Sequence, residues 1–408
     1  MQRVWFHCEG CGKEQPAAEA YRCPACGGEL ALRYDYASLR RSGAFAAHWE
    51  EAGSLWRRFA ALLPQEDQAR IVSLDEGSTP LVRSDRLAAR FGVKALHFKL
   101  ESCNPTGSFK DRQVSVGMSK ARELGRDRFG TASSGNVGVA VSAYAARAGG
   151  RACVWVSSSV AAAKRQQIQI YGAQLFLTPE STPQNMAANY AFFTGMRAFC
   201  VSRGLVPMVT ARPVNPYMIE GAKTAAFEVV AALGRVPDRY FAPVGGGGLL
   251  GSSWKGFQEL VQVGLADGVP VMEGTQMLKG HVPIDHLDDP AYESPIYYRP
   301  LDGCWAWQAI QATGGRLRLA GPEAIRAAQA DLALHEGIFA EPQGITAYAG
   351  LLQAWQEGTL RTSDVVVCVI TGIGLKDMGA AAEICADPGY PQPHRVQSLD
   401  ESAPFISS

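Results

Sequence analysis

The residue with the most chemical promise is Lys110. It sits in the turn Asn104-Pro105-Thr106-Gly107-Ser108-Phe109-Lys110-Asp111-Arg112, between a strand-like pattern at Lys94–Leu100 and a helix-like one at Lys110–Leu124. An ammonium at a helix N-terminus faces the positive end of the dipole, which favours the neutral amine. Such an amine can attack an aldehyde and then carry protons. A lone lysine in a turn is ordinarily just solvated; the company it keeps argues otherwise here. Thr131-Ala132-Ser133-Ser134-Gly135-Asn136 repeats the order strand, tight turn, helix, and offers hydroxyls, amides and the side chain of Asn136 to an anion or a phenolate oxygen. Gly245, Gly246, Gly247 and Gly248 follow the strand pattern Arg239–Val244 and open another helix, so several N–H groups can turn toward one phosphate with no Cβ in the way. There is no G-x-x-x-x-G-K-[ST], and no convincing G-x-G-x-x-G followed by an acidic residue at the right distance, which argues against a nucleotide loop. Thr371, in Thr371-Gly372-Ile373-Gly374-Leu375-Lys376-Asp377, ends a further strand pattern with a hydroxyl suited to a heteroaromatic nitrogen. An aldehyde-capturing lysine, a phosphate cradle and a hydroxyl for a ring nitrogen are together what pyridoxal 5'-phosphate requires.

These turns need elements to hold them. Strand patterns at Phe129–Ala132, Ala152–Ser157, Ala173–Thr178, Val269–Glu273, Ile338–Glu341 and Asp364–Ile370 alternate with helical stretches at Asn136–Ala148, Ala161–Tyr171, Asn215–Leu233, Pro322–Glu336 and Ile345–Gln356. Such alternation predicts an α/β fold with mostly parallel sheets, two in number, and a cleft where strand C-termini meet helix N-termini. Leu32–Leu63 reads mostly as helix. The expected domains are 1–32, a small domain at 104–214, and a large cofactor domain at 33–103 and 215–408.

The same motifs, in this order, resemble threonine synthases, members of the β family (fold type II) of pyridoxal-phosphate enzymes. The resemblance runs from about Gly77 to Met378 and includes Gly77-Ser78-Thr79-Pro80-Leu81 and the run Asn215–Thr224. It implies that Lys110 bonds the cofactor and acts as acid and base, that Phe109 packs near the ring, that Asn136 meets the 3-oxygen, Gly245–Gly248 the phosphate and Thr371 the ring nitrogen. It further implies that Ser133 and Ser134 hold the substrate carboxylate, with Lys164, Arg165 and Lys223 as candidates for its phosphate. The implied reaction takes O-phospho-L-homoserine and water to threonine and phosphate, in a homodimer. Several positions depart from the family pattern. The phosphate loop is usually G-N-x-G-N, glycine commonly follows K-D-R where Gln113 stands, Val137 stands where threonine is found, and His or Asn commonly fills the slot of Ile373. The tetraglycine loop is closer to serine/threonine dehydratases, so β-elimination or β-replacement on another activated amino acid, as in an enzyme resembling cysteate synthase, is the alternative.

Cys8-x2-Cys11-x11-Cys23-x2-Cys26 has the spacing of two zinc knuckles, with glycines placed so that backbone amides approach the sulfurs. Four thiolates close a tetrahedral site, so a structural zinc ribbon is expected. A zinc-ribbon binding protein with a non-catalytic body is the reading from a different class. Against it, residues 1–32 carry Arg3, Lys13 and Arg22 but also Glu9, Glu14, Glu19 and Glu29, a poor surface for nucleic acid. The chain of 408 residues holds 39 basic and 39 acidic residues and no apolar run long enough to span a bilayer, which disfavours nucleic-acid and membrane partners. Ten cysteines, four of them in the knuckles, point to a reducing, cytoplasmic setting.

Overall fold

The computed structural model describes residues 4–49, 51–133, 135–180, 182, 185–278, 281–292, 298–387, 389–390, 392–394 and 396. Its larger sheet has six strands in the order Leu317–Ala320, Val271–Met277, Arg239–Pro243, Val365–Ile370, Ala95–Leu100, Leu81–Arg83. All neighbours are parallel except the last pair. The strand Val365–Ile370 is buried at every position, as its unbroken run of β-branched and apolar side chains requires when helices cover both faces. A second, all-parallel sheet orders Gln174–Thr178, Arg151–Ser157, Arg128–Ser133 and Val206–Pro207. The α/β class and the two parallel sheets therefore follow the sequence pattern closely.

The third sheet is antiparallel: Glu14–Pro16, Val4–Cys8 and Leu30–Tyr34. It packs onto the helix Pro216–Ala222. The Phe6 and Tyr217 rings lie 5.2 Å apart, the Tyr217 hydroxyl donates to the Ala18 carbonyl at 2.7 Å, and the Tyr34 hydroxyl donates to Glu220 at 2.9 Å.

Local differences have local causes. Asn215 caps a helix as its Asn-Pro sequence suggests, its Oδ1 accepting from the Tyr217 N–H at 3.2 Å. The helix is nonetheless two segments, Pro216–Ala222 and Thr224–Leu233, joined at Lys223, whose carbonyl takes a tighter bond from the Ala226 N–H. Ile338–Glu341 is not a strand; only Ala340 makes a single bridge, to Ile373. Leu32–Leu63 is less helical than its composition suggests. It finishes the strand at Tyr34 and continues as two short helices, Tyr36–Ser42 and Leu55–Phe59, with single 3₁₀ turns. Among the described residues no helix is long and apolar enough to cross a membrane.

Candidate active site

Backbone hydrogen bonds bring the turns together. The Phe109 N–H donates to the Thr371 carbonyl at 3.1 Å, the Ile373 N–H donates to the Gly107 carbonyl at 3.0 Å, and Ser108 bridges Gly372. Lys110 and Thr371, distant in sequence, are thus neighbours at the end of the central strand. Thr371 itself is buried.

Lys110 opens the helix Lys110–Glu123 and is half-buried. Its Nζ donates to Thr210 Oγ1 at 2.9 Å and to Gln113 Oε1 at 3.2 Å, and stands 4.2 Å from the centroid of the Phe109 ring. Burial pushes the amine down to about 7, against an opposing pull from Asp302. Asp302 is in turn pushed up to about 7 by burial. Asp302, the acid that opposes burial at Lys110, is thus only partly ionised near pH 7. An amine in this state can act as nucleophile and base near pH 7, which an ordinary lysine cannot.

The glycine loop leaves the strand Arg239–Pro243 and enters the helix Gly248–Gln262. A Cβ on Gly245 or Gly246 would meet nothing within 4 Å, whereas one on Gly247 would stand 2.4 Å from the Asp302 carbonyl oxygen and one on Gly248 2.9 Å from Asp302 Oδ2. Two glycines therefore keep one side of the loop open, and two let Asp302 close the other. Open backbone at the start of a 15-residue helix is a fitting phosphate cradle.

Asn136 is buried at the start of the helix Asn136–Arg147. Its Nδ2 donates to Glu341, and its Oδ1 has no partner among the described residues, so the amide has capacity left for a ligand. The Ser133 hydroxyl accepts from the N–H groups of Gly135 and Gly138 at 2.9 and 3.1 Å and so shapes this turn; Ser134 lies outside the described residues. Lys164 crosses over Gly135 and pairs with Glu341 at 2.7 Å. Arg165, its neighbour, faces elsewhere, in a shallow depression with Ala162, Gln166 and Leu177. Lys223 is buried apart from the cleft, pairing with Glu220 at 2.5 Å and Glu259 at 2.8 Å and lying 4.2 Å from the Tyr34 ring. Of the three cations named for a substrate phosphate, the structure brings Lys164 alone to this cleft.

Gln113, Thr210, Asp302 and Glu341 escape the sequence reading. Glu341 is held where a Cβ on Gly372 would stand 2.2 Å from its Oε1, so the glycine after Thr371 serves the carboxylate as much as the turn. The available signal was a lone acid ending an apolar stretch before Pro342. Gln113 carried a signal too, as a departure from the family pattern one helical turn beyond Lys110.

At the N-terminus the Sγ atoms of Cys8, Cys11, Cys23 and Cys26 all lie within 4.8 Å of one another, with Cys8 and Cys26 3.4 Å apart and Cys11 and Cys23 3.8 Å apart. Tetrahedral zinc with bonds of about 2.3 Å puts its sulfurs roughly 3.8 Å apart, so the cluster fits that ion. The Gly28 N–H donates to Cys26 Sγ at 3.3 Å. The next residue, Glu29, accepts from Arg212 at 2.7 Å, and the Arg212 N–H donates to Asp302 at 3.0 Å. The knuckle thereby touches the segment that carries Thr210.

Residues 72–372 match the sequence pattern of a family described as pyridoxal-phosphate dependent enzymes. The chain belongs to that family. It is 35% identical to threonine synthase of Methanocaldococcus jannaschii over 93% of this chain and 95% of the relative, and 36% identical to threonine synthase of Synechocystis over 83% and 86%. Among solved structures it resembles an O-ureido-L-serine synthase mutant, with a TM-score of 0.62 at 20% identity over 85% of this chain and all of the other. It also resembles the processed form of threonine deaminase isoform 2 from Solanum lycopersicum, with a TM-score of 0.60 at 20% identity over 76% and 82%. The fold is thus that of fold type II enzymes, and the protein is a pyridoxal-phosphate-dependent enzyme of the threonine-synthase type.

Proposed function

We propose that this enzyme converts O-phospho-L-homoserine and water to threonine and phosphate. What carries the reading is 35% identity to threonine synthases over 93% of this chain, supported by Lys110 lying next to Thr371, the glycine loop packed on Asp302, and Asn136 bonded to the Glu341 that abuts Gly372. Lys110 would hold the cofactor's aldehyde carbon, Gly245–Gly248 its phosphate, Asn136 its 3-oxygen and Thr371 its ring nitrogen, with Phe109 beside the ring. When bound, pyridoxal phosphate supplies an electron sink that acidifies the substrate's α-hydrogen. Lys110 Nζ, held near neutrality, takes that proton and later returns one. A neutral hydroxyl at Thr371, unlike a carboxylate, would leave the ring nitrogen largely unprotonated and would limit how far charge spreads into the ring. Ser133, Ser134 and the amides at the start of Asn136–Arg147 would hold the α-carboxylate, and Lys164, which pairs with Glu341, would meet the departing phosphate in preference to Arg165 or Lys223.

We take residues 104–214 as a small domain against a cofactor domain of 33–103 and 215–408, with 1–32 as the ribbon holding one structural zinc. A cytoplasmic setting accords with ten cysteines of which none is in a disulfide, and a homodimer with the family resemblance. The test is product analysis of the holoenzyme offered phosphohomoserine, phosphoserine, serine and threonine separately. Threonine and phosphate released in equal amounts from the first are expected, and Lys110→Ala abolishes both. Release of 2-oxo acid and ammonia from serine or threonine, with phosphohomoserine untouched, overturns the proposal in favour of the dehydratase-like reading.

A further inference from the structure

Gln113 stands on the lysine helix one turn beyond Lys110, fully buried, with Oε1 3.2 Å from Lys110 Nζ. Its Nε2 is buried with no partner among the described residues. A buried amide donor without an acceptor is costly, on the order of 1–3 kcal/mol, so its presence beside the reactive amine calls for a reason. With Oε1 toward Nζ, the amide accepts from the lysine in both its charged and its neutral form. Thr210, from the opposite wall, supplies a second acceptor at 2.9 Å. A free amine of lysine has two or three N–H groups and fills both acceptors. A nitrogen engaged in a carbon–nitrogen double bond keeps at most one and cannot.

We propose that Gln113 is a positioning residue for Lys110: with Thr210 it forms a two-acceptor seat that holds the free amine in place for proton transfer at the substrate's Cα. The seat favours the free lysine over the bonded one, and Gln113 Nε2 is left to donate to an oxygen of the ligand above it. This rests on the reading of Lys110 as the cofactor lysine. The charges on the surrounding elements leave the amine to the seat. Among the described residues Asp302 is the ionisable group that bears on it, since Asp111 is turned to the Thr106 N–H and hydroxyl and Arg112 to Glu101 and Glu228.

The experiment titrates apoenzyme with pyridoxal phosphate between about pH 6 and pH 10, following capture by the visible absorbance of the bound cofactor, in wild type, Gln113→Met and Gln113→Glu. Removing an acceptor from the charged amine lowers the pH midpoint for capture by roughly 0.5–1 unit in the Met variant; adding a carboxylate raises it by roughly 1 unit in the Glu variant. Opposite displacements separate this role from mere packing. Methionine matches glutamine in volume, so if the Glu variant fails to fold, the Met variant decides. A folded Met variant with the wild-type midpoint overturns the proposal. Wild-type protein that never develops the absorbance overturns instead the assignment of Lys110.

Discussion

Lys110 and Arg112 stand two residues apart in the first turn of one helix and live in opposite electrostatic worlds. The Arg112 guanidinium makes six hydrogen bonds at 2.7–3.2 Å, four to the carboxylates of Glu101 and Glu228 and two to the hydroxyls of Thr224 and Thr79. Glu228 also takes Lys99 at 2.5 Å and the Ser78 N–H at 2.8 Å. Lys110 has two neutral acceptors and an aspartate pushed up to about 7. Burial weakens both cations, but only Arg112 recovers through its carboxylates and ends well above the ordinary arginine range, whereas Lys110 falls to about 7. The difference separates a charge that fixes shape from one that reacts. Saturating a cation with carboxylates locks its proton and its rotamer; leaving it with hydroxyl and amide partners keeps the proton exchangeable. Arg112 ties the helix to the strand Ala95–Leu100 and the helix Thr224–Leu233, and that rigidity lets Lys110 go without tight partners.

The comparison breaks most visibly at Arg112. Arg112→Met strands Glu101 in the interior and leaves Glu228 with Lys99 as its remaining cation, and removing one member of a buried ion cluster costs about 3–5 kcal/mol. Urea unfolding of the apoenzyme at pH 7 is expected to show that loss; an unchanged midpoint would mean that the cluster is not what anchors the helix. Lys110→Met should do the reverse. A base whose folded pKa is depressed by burial destabilises the fold wherever the unfolded chain carries the proton, because the folded chain must either bury the charge or give the proton up. That cost is full below about pH 7 and fades as the pH climbs from there toward the ordinary lysine value of roughly 10.4. Apo Lys110→Met is therefore expected to melt about 1–3 °C higher than wild type at pH 6.5, with the gap closing by pH 10. Equal melting at both pH values would contradict the under-partnered amine.

How far the sequence revealed this contrast depends on the kind of interaction. Lys110, the glycine loop, Asn136 and Thr371 were legible because each lies in a turn whose composition forces a backbone shape, and the strands around them are close to periodic. The partners that tune them were not. Thr210 and Asp302 reach Lys110 from other elements with no local signature, and Glu341 sat in what looked like an ordinary strand end. Lys223 misled for the complementary reason: its motif marks it as a candidate, but long-range pairing with Glu220 and Glu259 beneath Tyr34 engages its charge away from the cleft. Local patterns specify where backbone turns, and tertiary pairing decides which charges stay free.

The smallest expected effect concerns the link from ribbon to cleft. Arg212 touches Glu29 through its guanidinium, with side-chain exposures of 17% and 31%, and lies 4.9 Å from the Trp305 ring. Asp302, by contrast, is held by the backbone N–H of Arg212, which no side-chain substitution removes. Arg212→Ala should therefore lose a partly solvated ion pair, a ring contact and the guanidinium's charge near Asp302 while keeping the main-chain bond, a cost of about 1 kcal/mol that leaves cofactor affinity within roughly twofold of wild type. If affinity falls tenfold instead, the side chain rather than the main chain transmits the ribbon's position to the glycine loop. In that case Glu29→Gln separates two routes: it reproduces the loss if the pair with Glu29 positions the side chain, and leaves affinity unchanged if the guanidinium acts through its charge on Asp302.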